Sequence, residues 1–308
     1  MRILGYIGSY NDSIDRPLQA LIDQTYPVSD IVVVDNASTT DIFPKNFPRS
    51  VSVVRIEKNL GPNSAVATGL QYALDHGYEW FWLVESDGNP HKEALAKLVA
   101  LYDSFEAETK NRIGIVCSTQ ILSPSKVFQG RRLTPGGPRL PKIDPNLPYC
   151  ECDGIMWNGA LFNLESVRAV GLPRVGTAGP WEDLSYDYGD MEYSYRIKAA
   201  GYKVITHRFS MIEHRVGRPK QLKMLGRPLI TTNHPPNRRY LFFRNLTYFW
   251  VHIYPRLNWA TFGLWFTYRF AVTCLGIVVI ERKGIFKKIW ACFEGVRDGL
   301  AGNLARKY

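Results

Sequence analysis

Ile31-Val32-Val33-Val34 is an apolar, mostly β-branched run with no polar residue inside it. A strand with one face in water alternates apolar and polar residues, so an uninterrupted run predicts a strand covered on both faces, as in a parallel sheet. It ends abruptly in Asp35-Asn36-Ala37-Ser38. Ile3-Leu4-Gly5-Tyr6-Ile7-Gly8 reads as an earlier strand closing on a glycine, where backbone can approach a ligand, and Val51 to Ile56 reads as a third. Helical spacing separates these runs. Arg16 to Ile22 carries Pro17 in its first turn, and Ser64 to His76 places Val66, Leu70, Ala73 and Leu74 on one face before Gly77 closes it. Strands alternating with helices predict an α/β fold: a Rossmann-like, mostly parallel sheet with helices on both faces. Ligands of such sheets bind outside the carboxyl ends of the strands, where the polar clusters fall.

Trp80-Phe81-Trp82-Leu83-Val84 continues the pattern and delivers Glu85, Ser86 and Asp87 before the breaker Gly88-Asn89-Pro90. Two acids one residue apart suit a hard divalent cation that shares its coordination with a substrate phosphate. The alternative is a turn whose acids accept backbone hydrogen bonds. A helix is expected from about His91 to Glu106 and a strand over Ile113 to Cys117. The six prolines between Ile121 and Cys150, with Arg131, Arg132, Arg139 and Lys142, predict a long surface loop, either a binding lid or an insertion without a role. Regular structure is expected again at Gly154 to Phe162. A helix from Asp190 to Ala200 is expected to end at Gly201 and pair Glu192 with Arg196. A strand over Tyr202 to Ile205 then leads to Glu213-His214-Arg215-Val216-Gly217.

Taken in order, Asp35-Asn36-Ala37-Ser38 after a valine run, Asn59-x-Gly61 before a helix, the acidic pair before Gly88-x-Pro90, and Gly189-Asp190-Met191-Glu192 resemble the GT-A glycosyltransferases of family 2. His214-x-x-Gly217 and Arg239-Tyr240-x-x-x-Arg244-Asn245 add a likeness to the bacterial rhamnosyltransferase and galactofuranosyltransferase branch. The resemblance covers about residues 1 to 250. It implies an inverting transfer from a UDP- or dTDP-linked sugar to a hydroxyl of a cell-surface glycan or lipid-linked acceptor. Asp35, with Gly8 and Ser9, would then line the nucleotide pocket, and Asn59 and Gly61 would lie beside it at a turn where a bulkier residue would obstruct the ligand. Glu85 and Asp87, with His214, would hold Mg²⁺ or Mn²⁺ against the diphosphate, with Ser86 between them. Trp157-Asn158-Gly159 would lie under the donor sugar, although Trp157 also reads as plain core. Trp181-Glu182-Asp183 falls toward the acceptor side by sequence position. Asp190 would be the general base, with Asp187 as its rival. The family usually has consecutive aspartates where this chain has Glu85 and Ser86, which leaves open a catalytically silent sugar-nucleotide-binding or scaffold protein. A nucleotidyltransferase would need a basic, glycine-rich phosphate loop, which Gly8-Ser9-Tyr10-Asn11 does not supply.

The expected division is a catalytic domain over 1–237, with a nucleotide-sugar half at about 1–118 and an acceptor half at about 150–237, followed by a helical extension over 238–308. That extension holds 12 of the 38 Lys and Arg but only 3 of the 28 acids, so most of the net charge of +10 lies there. Arg256, Arg282, Lys283, Lys287 and Lys288 interleave with aromatics, which suits helices lying on an anionic membrane face. Ala260 to Ile280 has the length of a membrane span, with Arg269 near its middle. A helical subdomain packed on the catalytic core, or joining copies in a homo-oligomer, is the competing expectation. No nucleic-acid motif accompanies the charge. Five scattered cysteines predict no disulfide framework. The run after Arg2 is short and broken by Gly5 and Gly8, so the expected location is the cytoplasm, peripheral on the inner face of the membrane.

Overall fold

The apolar runs form the middle of a ten-stranded sheet among the described residues. The computed structural model describes every residue except 45, 47, 49, 124, 125, 215–219, 225 and 226, so Arg215, Val216 and Gly217 lie outside it. Strands β1 (Ile3–Ser9), β2 (Asp30–Asp35), β3 (Ser52–Arg55) and β4 (Trp80–Glu85) are parallel, in the spatial order β3-β2-β1-β4. Their residues alternate between two cores. Ile3, Ile31, Val33, Trp82 and Val84 pack with Leu18 and Leu21 of α1 (Asp15–Ile22) on one face. Leu4, Val32, Val34, Phe81 and Leu83 pack with Val66, Leu70 and Ala73 of α2 (Pro62–Asp75) on the other. Cover on both faces is why these runs carry no polar interruption.

After β5 (Gly88–Pro90), α3 (Ala94–Asp103) joins the α1 face and α4 (Ala107–Lys110) leads into β6 (Ile113–Ser123). The expected loop from Ile121 to Cys150 needs correction. There β6 runs on to Ser123, β7 (Lys126–Phe128) pairs back on it, and β8 (Arg132–Thr134) and β9 (Gly137–Arg139) form a hairpin. Prolines cannot donate to a ladder, so the strands are short rather than absent. Next come β10 (Tyr149–Cys152) and β11 (Ala160–Asn163), which inserts antiparallel between β4 and β6. Helices α5 (Leu164–Val170) and α6 (Gly189–Ala199) cover the α2 face. In α6, Arg196 donates to both carboxylate oxygens of the buried Glu192, at 3.0 and 3.1 Å.

Strand β12 (Lys203–His214) is far longer than the four-residue strand expected from sequence. Its pairing with β6 shifts between His207 and Met211, where His207 Nδ1 accepts the N–H groups of Phe209 and Ser210. Such an irregularity re-aims a strand. Here the strand's end pairs with β5, and His214 comes opposite Gly88.

A hairpin of β13 (Lys220–Met224) and β14 (Arg227–Thr231) precedes helices α7 (Pro236–Tyr248), α8 (Trp259–Gly276) and α9 (Ile285–Leu300). A Cβ at Gly295 or Gly299 of α9 would overlap a carbonyl oxygen of α7, that of Tyr240 or Arg244. The missing side chains therefore let the two helices touch backbone to backbone. Glu281, fully buried at its carboxylate, bridges Arg239 and Lys288 and ties the bundle together. All five cysteines are free thiols.

Candidate active site

The parallel register sets the carboxyl ends of β1, β2 and β4 side by side, with Gly8 opposite Glu85 and Ser9 opposite Asp35. They open into a cavity of about 330 Å³ whose lining includes Gly8, Ser9, Asn59, Glu85, Ser86 and Asp87. Tyr6, Tyr10, Asn36 and Tyr186 also line it, without having been assigned a role from sequence, as do Pro62, Ala65 and Val66 of α2.

At one end of this cavity Glu85, Asp87 and His214 converge, each offering a ligand atom within 4.8 Å of the others. His214 Nε2 lies 3.8 Å from Glu85 Oε2 and 3.5 Å from Asp87 Oδ2. Ligands bound at about 2.1 Å to one divalent ion stand roughly 3 to 4 Å apart, so the set fits such an ion. Burial, then the Asp87 charge, pushes the Glu85 carboxyl up to about 7. Burial pulls the His214 imidazole down, but its hydrogen bond to Asp87 and the surrounding carboxylates outweigh this and leave it raised. A carboxyl and an imidazole that hold protons this firmly are sharing too little positive charge, which a cation would supply.

Two buried amides hold these ligands in place. Asn158 accepts the Glu85 N–H at 3.2 Å and donates to Asp87 Oδ1 at 3.3 Å. Gln120, absent from the sequence-derived set, has its Oε1 2.8 Å from His214 Nδ1. Its Nε2 donates to the carbonyls of Met156 and Asn158, at 2.9 and 2.8 Å. Since Nε2 can only donate, Oε1 accepts, which puts a proton on Nδ1 and, in the neutral ring, leaves the Nε2 lone pair free for a metal. Gly88 is the third support, because a Cβ there would overlap the Asn158 amide.

Asp190 sits half-buried in the first turn of α6, and its Oδ1 accepts the Met191 N–H at 2.8 Å. Burial pushes its carboxyl up to about 7 despite that hydrogen bond, and Asp187 adds to the rise. Asp190 is close enough to Glu85 and His214 to act on the protonation of both. It also lines a second cavity of about 430 Å³, walled by Tyr188, Trp250, Trp265 and Arg269. The rival Asp187 is paired with Arg238 at 3.2 Å, whereas Asp190 has no ion pair among the described residues.

Several sequence-derived residues fall elsewhere. Asp35 is 1% exposed and turns its carboxylate onto the Ser38 N–H, at 2.8 Å, and onto Arg55, at 3.1 Å, so Asn36 takes its place in the lining. Gly61 has φ +97°, and a Cβ there would strike Ser185 rather than cavity space. Trp157 is core, packed edge-on against Phe162 and Tyr193. Gly159 likewise serves packing, at φ +84° against Ile212 and Ser118. Trp181 lies against Tyr240 and Leu241 of α7, away from both cavities.

The glycosyl transferase family 2 model matches residues 7–156, from the end of β1 through β10, and so includes both carboxylates of the cluster. That segment belongs to glycosyl transferase family 2. Curated proteins similar to this chain include the galactofuranosyltransferase GlfT1 of Mycobacterium tuberculosis, 27% identical over 170 residues, or 53% of this chain and 55% of that protein. GlfT1 of Mycolicibacterium smegmatis is 27% identical over 171 residues, 51% of this chain and 53% of that one. The chain spans about half the length of the curated relatives it matches. Among solved structures, S. aureus TarS 1-349 in complex with UDP-GlcNAc aligns with a TM-score of 0.56 at 13% identity, over 99% of this chain and 84% of that one. GalNAc-T7 with UDP, GalNAc and Mn²⁺ aligns at 0.56 and 14% identity, over 84% of this chain and 52% of its own. The fold is the expected GT-A sheet with a C-terminal helical region.

Proposed function

We propose that this chain transfers a glycosyl group from a nucleoside-diphosphate sugar to an acceptor hydroxyl, in a single displacement that inverts the anomeric centre. The observation that carries the reading is the meeting of Glu85, Asp87 and His214 at the strand-end cavity, near enough to Asp190 for its charge to act on Glu85 and His214. Glu85, Asp87 and His214 would hold Mg²⁺ or Mn²⁺, and the imidazole favours Mn²⁺. Such an ion offsets the negative charge that gathers on the departing diphosphate. Asn36, Asn59 and Ser86 face the nucleotide, UDP or dTDP, in the first cavity. From the second, the acceptor oxygen attacks the anomeric carbon as the bond from that carbon to the diphosphate oxygen breaks. The hydroxyl proton passes to Asp190, whose carboxyl near 7 is matched to that task. The acceptor is a cell-surface glycan or a lipid-linked one.

The extension suits the inner face of a membrane. Trp259–Glu281 is long and apolar enough to cross one, and only 11% of its apolar window is buried in the protein. Leu264 is 76% exposed and Phe286 77%, and Arg282, Lys283 and Lys287 lie within four residues of Phe286 in the chain. Cosedimentation with anionic vesicles, lost in Phe286→Ser with Trp290→Ser, is the expected result.

The chemistry is tested by following nucleoside diphosphate release from a panel of UDP- and dTDP-sugars, with Mn²⁺ and with EDTA. Asp190→Asn is expected to lose on the order of 10² to 10⁴ in rate. Equal turnover in wild type and variant removes Asp190 as the base. Nucleotide-sugar binding without turnover, given a competent acceptor, favours the silent binding protein.

A further inference from the structure

The cavity behind Asp190 holds two guanidiniums that have no carboxylate of their own. Arg131, half-buried just before β8, donates to the Gly130 carbonyl at 3.1 Å and lies 4.7 Å over the Phe128 ring. Arg269 projects from α8 with its guanidinium 5.5 Å from the Phe242 centroid. Both line the 430 Å³ cavity. Among the described residues neither reaches a carboxylate within ion-pair distance; Asp187 pairs with Arg238 through one oxygen, and Asp153 with Arg132. Burial weakens Arg131's hold on its proton, and the nearby Arg269 charge weakens it further.

Two like charges converging on an aromatic-walled cavity are unfavourable in the free protein and become favourable with an anion between them. A neutral sugar has no need of them, since Trp265 and Tyr268 in the lining already offer aromatic surface to a ring. We infer that this cavity is the acceptor subsite and that Arg131 and Arg269 grip an anionic group on the acceptor, a phosphate or a carboxylate, so that its hydroxyl meets Asp190. The guanidinium fork matches both groups with paired N–H donors. Naming the bound molecule as the acceptor rests on Asp190 being the base; the anion grip itself does not.

The test is equilibrium binding to metal-free protein in EDTA, read by tryptophan fluorescence, with glucose 6-phosphate, glucuronate and glucose as probes. One charged probe is expected to bind at least tenfold tighter than glucose, and which one does so separates phosphate from carboxylate. Arg131→Gln and Arg269→Gln should each weaken that binding about tenfold or more, and Trp265→Phe should reduce the signal. Both arginine variants should keep wild-type UDP affinity in Mn²⁺, which guards against simple misfolding. Equal binding of the three probes, or charged-probe affinities unchanged in both variants, overturns the subsite. Failure of wild type to turn over any sugar nucleotide undoes the transferase reading instead and leaves the fluorescence result standing.

Discussion

Replacing Gln120 with methionine keeps the side-chain volume and removes three hydrogen bonds at once. The Met156 and Asn158 carbonyls lose their donor, and His214 Nδ1 loses the oxygen that fixes its proton. Gln120 is 0% exposed, so water does not replace those partners. Each buried group left unpaired costs about 1 to 3 kcal/mol, and neighbours in one network do not add in full, so a loss of about 2 to 4 kcal/mol in stability is expected. Removing a partner behind a metal-bound histidine weakens metal binding by about 10- to 100-fold, or about 1.4 to 2.8 kcal/mol. Denaturant melts give the first quantity, and Mn²⁺ titration followed by electron paramagnetic resonance gives the second. Gln120→Glu keeps an oxygen for Nδ1 but has no N–H for the carbonyls. It should therefore hold Mn²⁺ better than Gln120→Met while being no more stable. Wild-type Mn²⁺ affinity in Gln120→Met, whatever its stability, would show that His214 needs no such support or is no ligand.

Other consequences follow from the same contacts. Glu85 and Asp190 have carboxyls raised from 4.5 and 3.8 to about 7, so the folded chain holds these protons more tightly than the unfolded one. Metal-free protein should therefore lose stability as pH rises from about 4 through about 7, with the raised His214 acting in the same direction; melts in EDTA should show this slope flattened in Glu85→Gln. Mn²⁺ should oppose the loss at the upper end, because binding there expels the protons. Gly88→Ala is expected to displace the Asn158 amide and cut Mn²⁺ affinity while leaving the sheet intact, as read by the same titration and by circular dichroism. Glu281→Gln leaves Arg239 and Lys288 buried against a neutral partner and should cost about 3 to 5 kcal/mol in urea unfolding.

The parallel half of the fold was legible because burial on both faces leaves a mark that depends only on local sequence. Glu85 and Asp87 were legible for a related reason: a charge pair has no place inside a buried strand, so it marks the strand's end. Gln120 and Asn158 left a weaker mark. A lone amide among apolar residues becomes informative only once its partners are known, and those lie 36 to 94 residues away along the chain. Asp35 carries a second role that sequence does not show, since a carboxylate at a strand's carboxyl end also pins Ser38 and Arg55. In the 121–150 segment, proline content described how short the strands are and not whether they form. The small residues of the β8–β9 turn, which read as loop, are where Trp265 of α8 packs against Gly137.

That contact bears on how the helical extension relates to the site. Asp183, Asp187 and Tyr188 hold φ values of +52°, +57° and +68° just before Asp190. Left-handed backbone costs a non-glycine residue on the order of 1 to 3 kcal/mol and persists only where surrounding contacts enforce it. Those contacts come from α7 and the chain's last residues. Asn245, fully buried, donates to the carbonyls of Tyr186 and Asp187, while Arg244 donates to those of Asp183, at 2.6 Å, and Leu304, at 3.1 Å. The Leu304 carbonyl in turn accepts the Asp183 N–H at 3.1 Å. The braced loop carries Tyr186 into the first cavity and leads Asp187, Tyr188 and Asp190 into the second. The Arg244-Asn245 pair therefore acts on the site through backbone, by holding a loop in a conformation its own residues disfavour.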